Sequence, residues 1–190
     1  MEEKHRGAQN DILKIVVFGP ESTGKSTLAH QLAQQYQTVF VPEYSRIYAE
    51  MQLLCGKTLT QDDVVEIAHG QLKLETELLP KANKIIFCDT DLLETKVYSE
   101  MYYNGYCPPQ LEDFANQRTS DLYLLTGVDV PWVADNIRDK PQNREEQFNI
   151  FESVLKSYKK PYKIIKGNEQ ERLQKAIEYV DELIRNDREI

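Results

Sequence analysis

Short apolar runs alternate with amphipathic stretches along this chain of 190 residues. Five of the runs have the length and continuity of strands that are buried on both faces, and the segments between them carry apolar residues at helical spacing. The predicted strands are residues 14–18, 38–41, 85–88, 122–125 and 162–165. This alternation predicts an α/β fold, a doubly wound, five-stranded parallel sheet with helices on both faces.

One long amphipathic segment lies between the second and third predicted strands. Thr60 followed by Asp63 has the form of a capping box, so we expect a helix over residues 61–79. Gln71 falls on the apolar face of this helix. Because a buried amide must find hydrogen-bonding partners, we expect Gln71 to contact either another helix or a substrate base. The apolar residues that define the face are Val64, Ile67, Ala68, Leu74 and Leu78.

The segment directly after the first predicted strand, from Gly19 to Ser26, fits the phosphate-binding pattern GxxxxGK[ST] without a mismatch. It lies between a buried strand and an amphipathic helix that is predicted to end near residue 36. Glycines let the backbone approach an anion closely, and the N–H groups at the helix start face the phosphates. Lys25 would reach the β- and γ-phosphates of ATP, and the Ser26 hydroxyl would hold Mg²⁺.

Candidate polar residues follow the ends of the predicted strands, where ligands of doubly wound sheets bind. The turn Gly167-Asn168 comes directly after the fifth strand, so we expect it at the same edge as the phosphate-binding loop. The predicted ATP-binding residues are Gly19, Glu21, Ser22, Thr23, Gly24, Lys25, Ser26, Thr27, Gly167 and Asn168.

Four further residues near strand ends each have more than one interpretation. Asp89 ends the third strand and either holds Mg²⁺ or caps a helix. For Asp91 capping and function are equally open. Glu43 follows the second strand and either takes the proton from a substrate hydroxyl, fixes a ribose, or is a surface carboxylate. Trp132 follows the fourth strand and is either a core residue or a binding platform.

The composition narrows the possible partners. The formal net charge of −8 argues against nucleic acid, because non-specific affinity for DNA comes from Lys and Arg. No apolar run approaches the roughly 20 residues of a membrane span, and the charged N-terminus lacks the apolar core of a signal peptide. We therefore expect a cytoplasmic protein without a membrane partner, with a polar leader over residues 1–12 and one domain over 13–190. The three cysteines form no C-x-x-C pair and are interpreted as free thiols.

Motifs that the chain lacks narrow the class of phosphate-binding protein. It has neither the N-K-x-D and D-x-x-G patterns of GTPases nor the L-S-G-G-Q stretch of transporter ATPases, which leaves a small-molecule kinase. A charged segment around residues 135–145 lies where we expect a kinase lid, and Asn143 with Glu146 opens the next helix. Arg138 and Arg144 would supply positive charge for phosphoryl transfer, or else are solvated surface residues. Arg144 is predicted at the first helical position, where a cation opposes the macrodipole.

Several stretches resemble the ribosylnicotinamide kinase domain of the NadR-type NAD-biosynthesis proteins, in family order from about residue 13. The combination of the phosphate-binding loop with E-Y-S-R and P-W-V-A-D stretches is far more specific than the loop alone. The chain departs from the family pattern at Asn136, where a glycine is expected. The matching stretches are Gly19 to Ser26, Pro42 to Tyr48, Gly70-Gln71, Asp89-Thr90-Asp91 and Pro131 to Arg138.

The resemblance implies ATP- and Mg²⁺-dependent phosphorylation of nicotinamide riboside to the mononucleotide. Two alternatives stay open: a kinase for another nucleoside, and a nucleotide-binding sensor or regulator that transfers no phosphate. Together with the residue patterns above, the predicted catalytic residues are Lys25, Glu43, Asp89, Arg138 and Arg144, with Ser26 and Asp89 on the metal. The predicted substrate-binding residues are Glu43, Tyr44, Arg46, Gln71, Asp91 and Trp132.

Overall fold

The five strands form one sheet in which every neighbouring pair is parallel, in the order β2-β3-β1-β4-β5. This computed structural model describes residues 12–117, 120–131 and 143–187. The order confirms the doubly wound α/β fold, because the chain passes from β1 at the centre to β2 and β3 on one side and then to β4 and β5 on the other. The strands are β1 (Leu13–Phe18), β2 (Phe40–Val41), β3 (Ile85–Asp89), β4 (Leu122–Thr126) and β5 (Tyr162–Ile165).

Six helices lie between the strands and a seventh follows β5, within the described residues. Two short 3₁₀ turns, Gln61–Asp63 and Leu79–Lys81, flank the third helix. The helices are α1 (Lys25–Gln35), α2 (Tyr44–Leu54), α3 (Val64–Leu78), α4 (Leu92–Tyr102), α5 (Pro109–Gln117), α6 (Arg144–Ser157) and α7 (Glu169–Asp187). None of them combines the length and the apolar character that crossing a membrane requires, within the residues described.

The central strand β1 is buried along its whole length and divides the core into two layers. Alternate residues of a strand point to opposite faces, so Ile15 and Val17 belong to one layer and Val16 and Phe18 to the other. On the first face the helix residues are Leu28, Leu32, Ala176 and Val180. On the second face they are Leu93, Val97, Phe151 and Leu155. The sheet is therefore covered by helices on both faces, as predicted.

Helix α2 is an element that the sequence pattern did not predict. Of its residues only Ala49 is buried, while Leu53 and Leu54 are 50% and 90% exposed. Its apolar residues therefore do not form a core-facing stripe, which is the signal that the periodicity depends on. The strand predicted over 38–41 is shorter than expected, because only Phe40–Val41 pairs with β3.

The predicted capping patterns mark the correct places but differ in detail. The Thr60–Asp63 capping box is present, yet it opens a 3₁₀ turn and α3 itself begins at Val64. Asn143 precedes the first residue of α6 as predicted. Its side-chain amide donates to Glu146 Oε2 at 2.9 Å and makes no bond to the helix backbone, because its own backbone is left-handed. The predicted leader lies almost wholly outside the described residues.

Candidate active site

The phosphate-binding loop leaves the carboxyl end of β1 and enters α1 at Lys25, as the motif predicts. At the first position Gly19 has a φ of 138°, which L side chains rarely adopt. A Cβ there would also lie 2.6 Å from Thr126 Oγ1 on β4. The Thr126 hydroxyl in turn bonds the Thr23 hydroxyl at 2.7 Å and donates to the Phe18 carbonyl at 3.2 Å. The glycine thus permits the close contact that fixes the loop against the neighbouring strand.

Lys25 is buried at the start of α1, and its ammonium group turns back over the loop. Nζ donates to the carbonyls of Gly19 at 2.8 Å and Pro20 at 3.1 Å, and lies 3.1 Å from Glu94 Oε1. An ammonium group has three donors, so these contacts can account for all of them. The lysine of the motif therefore lies against the loop, and its contact with the phosphates stays a prediction.

The site around Lys25 is acidic. Burial lowers the pKa of Lys25, but the carboxyl groups of Glu94, Glu43 and Asp89 outweigh it and raise the pKa above its usual range. Glu43 and Asp89, which follow different strands, thus act on the same ammonium group. The two carboxylates that were predicted for proton transfer and for metal binding therefore both raise the pKa of this lysine.

Glu94 is a site residue that the sequence analysis missed. Only 1% of it is exposed, and its Oε2 accepts a hydrogen bond from the Gly19 N–H at 3.2 Å. Burial and the charges of Glu43 and Asp89 raise the pKa of Glu94 well above its usual value, although Lys25 opposes them. The sequence did carry one signal of its role: Glu94 lies between the apolar residues Leu93 and Val97 on a helix that begins soon after the strand end at Asp89. A glutamate on such a face is seldom buried without a partner.

Asp89 and Asp91 have different environments although they are two residues apart. Asp89 is 2% exposed at the end of β3 and pairs in register with Val17, just before the phosphate-binding loop. Its carboxylate and the exposed Ser26 hydroxyl are hard oxygen ligands of the kind that Mg²⁺ prefers, so they fit that ion. Asp91 caps α4 through the N–H groups of Leu93 and Glu94, at 2.9 and 3.3 Å.

Asp91 also accepts a hydrogen bond from the Tyr123 hydroxyl of β4, at 2.5 Å. Its two carboxyl oxygens are therefore both engaged within the protein, and the capping interpretation accounts for its burial. The substrate contact predicted for Asp91 gains no support from these partners.

Helix α3 packs against the turn that carries Glu43. Glu43 occupies the N-cap position of α2, and its Oε1 accepts a hydrogen bond from the Ser45 hydroxyl at 2.6 Å. The Tyr44 ring lies over Gly70, where a Cβ would come within 1.9 Å of the ring atom Cε1. Glycine at position 70 is thus what allows this ring to lie on α3.

Gln71 is buried on α3, as the apolar face predicted, and its amide bonds this same turn. Oε1 accepts from the Tyr44 N–H at 2.8 Å, and Nε2 donates to the Pro42 carbonyl at 3.3 Å. These backbone groups flank Glu43 on both sides, so Gln71 positions the carboxylate. Its predicted contact with a substrate base stays a prediction. Arg46, in the first turn of α2, pairs with Glu50 at 3.3 Å.

Arg144 begins α6, as predicted, and its guanidinium reaches the phosphate-binding loop. Nη1 donates to the Val130 carbonyl at 2.6 Å and Nη2 to the Ser22 carbonyl at 3.3 Å. Burial, with the nearby charge of Arg172, lowers the pKa of Arg144 below its usual value. Its placement against the helix dipole is thus explained by loop contacts. Arg138 and Trp132, with residues 135–142 of the lid predicted around 135–145, lie outside the described residues.

Arg172 on α7 is a second residue that the sequence analysis missed, and it joins three loops of the site. Its buried guanidinium donates to the carbonyls of Thr23 at 2.6 Å, Gly127 at 2.9 Å and Gly167 at 2.8 Å. It also pairs with Asp129 at 2.5 Å. Burial opposes the ionisation of Asp129, but the Gly167 N–H and Arg172 prevail and lower its pKa. No local pattern marks this arginine, since its partners lie up to 149 positions away.

The remaining predicted ATP-binding residues line the same edge of the sheet. Gly167 has a φ of 115° and donates its N–H to Asp129 Oδ2 at 2.7 Å. Asn168 and Glu171 form a reciprocal capping box that opens α7, with bonds of 2.8 and 3.0 Å. Glu21, at the outer turn of the loop, accepts a hydrogen bond from the Tyr102 hydroxyl at 3.2 Å. Ser26 and Thr27 are exposed in the first turn of α1.

Fold and site together define a P-loop NTPase fold of the kinase-like kind, with the loop at the central strand and carboxylates on its neighbours. Comparison with known proteins places the chain more narrowly. A sequence-family model described as an AAA domain matches residues 14–172, and the chain belongs to that family.

Two similar proteins are the trifunctional NAD biosynthesis/regulator proteins NadR of Escherichia coli and Salmonella typhimurium. The first is 31% identical over 144 residues, which are 74% of this chain and 35% of that protein. The second is 29% identical over 174 residues, which are 90% of this chain and 42% of that protein. The resemblance to NadR proteins is thus confirmed, and the chain spans less than half the length of these relatives.

Solved structures give the same relationship. A crystal structure of a NadR protein in complex with NR is 25% identical, with a TM-score of 0.73 over 92% of this chain and 51% of that one. A thymidylate kinase from Ehrlichia chaffeensis is 16% identical, with a TM-score of 0.61 over 88% of this chain and 98% of that one, and shares the fold. Together these relatives confirm the P-loop kinase-like fold.

Proposed function

We propose that this chain is an ATP- and Mg²⁺-dependent kinase that phosphorylates nicotinamide riboside to nicotinamide mononucleotide. The observation that carries the proposal is the convergence of Glu43 and Asp89 on the buried Lys25 of a complete phosphate-binding loop. The similarity to NadR proteins, one of them solved in complex with NR, supports the choice of substrate.

In this proposal each group has a distinct task. Lys25 and the N–H groups of the loop stabilise the charge that phosphoryl transfer spreads over the phosphate oxygens. Glu43 accepts the proton of the acceptor 5′-hydroxyl, and the Gln71 amide holds its turn. Ser26 and Asp89 would hold Mg²⁺, whose charge offsets that of the phosphates.

The acidic character of the site favours a cationic acceptor. Nicotinamide riboside carries a positive pyridinium ring, and the carboxyl groups of Glu94, Glu43 and Asp89 all raise the pKa of the Lys25 ammonium group. An excess of negative charge attracts a cation over a neutral nucleoside at short range. A kinase with this site should therefore prefer nicotinamide riboside to a pyrimidine nucleoside.

The test is the nucleoside-stimulated release of ADP from ATP in the presence of Mg²⁺. We expect a higher kcat/KM for nicotinamide riboside than for uridine, cytidine or thymidine, with the Lys25→Ala variant as the inactive control. If uridine or thymidine gives the higher value, the substrate is wrong and the kinase assignment stands. If no nucleoside stimulates ATP consumption while ATP still binds, the chain is a nucleotide-binding sensor.

A further inference from the structure

One face of α4 lines the phosphate-binding loop. Glu94, Tyr98 and Tyr102 are spaced four residues apart, so they lie above one another on the same side of the helix. Glu94 contacts the Gly19 N–H and Lys25 at one end, and the Tyr102 hydroxyl contacts Glu21 at the other. Tyr98 therefore lies midway along a face whose two ends both touch the loop.

The Tyr98 hydroxyl is buried but has no hydrogen-bonding partner among the described residues. Its ring is fixed by two neighbours: it stacks on Tyr102 with centroids 5.8 Å apart, and meets Phe151 edge to face at 5.4 Å. A buried donor without a partner costs free energy, and proteins rarely retain one. Because the ring is held in place, the hydroxyl cannot turn to solvent, which points to a partner that arrives with a ligand.

The charges around this hydroxyl define the ligand group that can meet it. Burial and the carboxyl groups of Glu94, Glu21 and Glu43 raise the pKa of Tyr98 well above its usual value, so the phenol stays protonated and donates. Those carboxyl groups disfavour an anionic partner at this hydroxyl itself. The partner is therefore a neutral acceptor. A sugar hydroxyl fits best, because it accepts from the phenol and donates to a carboxylate at the same time.

We propose that the Tyr98 hydroxyl contacts the bound acceptor directly, donating a hydrogen bond to a hydroxyl of its sugar ring. This inference rests on the proposed kinase function and adds a residue that recognises the sugar of the acceptor. It explains why a phenol, and not a phenylalanine, occupies this buried position.

Tyr98→Phe removes one oxygen atom and tests the proposal. We expect the KM for the nucleoside to rise between about threefold and tenfold, as the loss of one neutral hydrogen bond predicts, with the KM for ATP unchanged. The melting temperature should stay equal or rise, because a buried unpaired hydroxyl has been removed. The matched control is Tyr158→Phe, which removes a hydroxyl bonded to Glu112 at 2.6 Å away from the site. That control should lose stability and keep both KM values.

Removing a hydroxyl group from the nucleoside gives a second, independent measurement, made on the wild-type protein. We expect 2′-deoxy or 3′-deoxy forms of the preferred nucleoside to lose kcat/KM with wild type, and one of these losses to shrink severalfold with Tyr98→Phe. If nicotinamide riboside is phosphorylated but Tyr98→Phe changes neither the KM for the nucleoside nor these ratios, the inference is wrong and the function stands. If wild type phosphorylates no nucleoside, the function fails and the inference fails with it.

Discussion

The Gln71 amide offers a sharp test of how the fold positions the candidate base. It joins the Tyr44 N–H at 2.8 Å and the Pro42 carbonyl at 3.3 Å, so it bonds the backbone on both sides of Glu43. From its place on an apolar helix face alone, one would expect Gln71→Leu to be tolerated, because leucine suits such a face. The structure reverses this expectation, since leucine leaves both backbone groups of the turn without their partner.

The magnitude follows from those two bonds. Loss of the bond to the Pro42 carbonyl costs about 1 kcal/mol of stability. Loss of the other bond costs about 1–3 kcal/mol, because it leaves the partly buried Tyr44 N–H without a partner. The leucine side chain recovers on the order of 1 kcal/mol through apolar burial. The net loss is about 2 kcal/mol, which for a protein of this size lowers the melting temperature by about 4–8 °C.

Urea unfolding and steady-state kinetics together decide the matter. We expect a lower midpoint with an unchanged m-value, and a kcat at least about tenfold lower because the candidate base is no longer held in place. Gln174→Leu, on the exposed face of α7, is the matched control and should change stability by less than about 0.5 kcal/mol. A Gln71→Leu protein that melts with wild type and keeps its kcat would refute the reasoning.

Three further predictions concern buried charges. Lys25→Ala should lower kcat by at least about a hundredfold, since the loop loses its phosphate-binding cation, and initial-rate assays check this. Glu94→Gln should gain stability relative to wild type as the pH rises above about 5, measured by urea unfolding at each pH. The pKa of Glu94 in the folded protein lies above its ordinary 4.5, so the native state keeps a proton that the unfolded state releases. The wild type therefore loses stability as the pH rises, and the glutamine variant does not. Lys14→Met should cost about 3–5 kcal/mol, because it leaves Glu75, 2.7 Å from Nζ, buried without its cation.

Each of these predictions has an outcome that contradicts it. Near-native turnover of Lys25→Ala would remove that lysine from the site. A stability difference between Glu94→Gln and wild type that stays constant with pH would show that Glu94 keeps its ordinary pKa. For the buried pair, the double variant Lys14→Met/Glu75→Leu should recover most of the loss, since apolar residues can replace such a pair. Failure to recover would mean that the ion pair is not what the single variant disrupts.

Local sequence was sufficient for the parts of this protein whose physics is local. The phosphate-binding loop, the buried strand before it and the cap at Thr60 depend on residues within a few positions of one another. The position of Gln71 on a buried helix face follows from periodicity alone. The sheet and its layers follow as well, because alternating strands and helices allow few other arrangements.

Tertiary structure decided which side chains meet at the carboxyl edge of the sheet. Glu94 touches Gly19 across 75 positions, Arg172 touches Thr23 across 149, and the Gln71 amide bonds the turn of Glu43 at the start of helix α2. The exposed helix α2 likewise follows from its place after that turn and not from an apolar stripe. A buried charge or amide is stabilised by whichever partner the fold brings within about 3 Å. Sequence spacing carries no record of that distance, so these contacts could be found only in the folded chain.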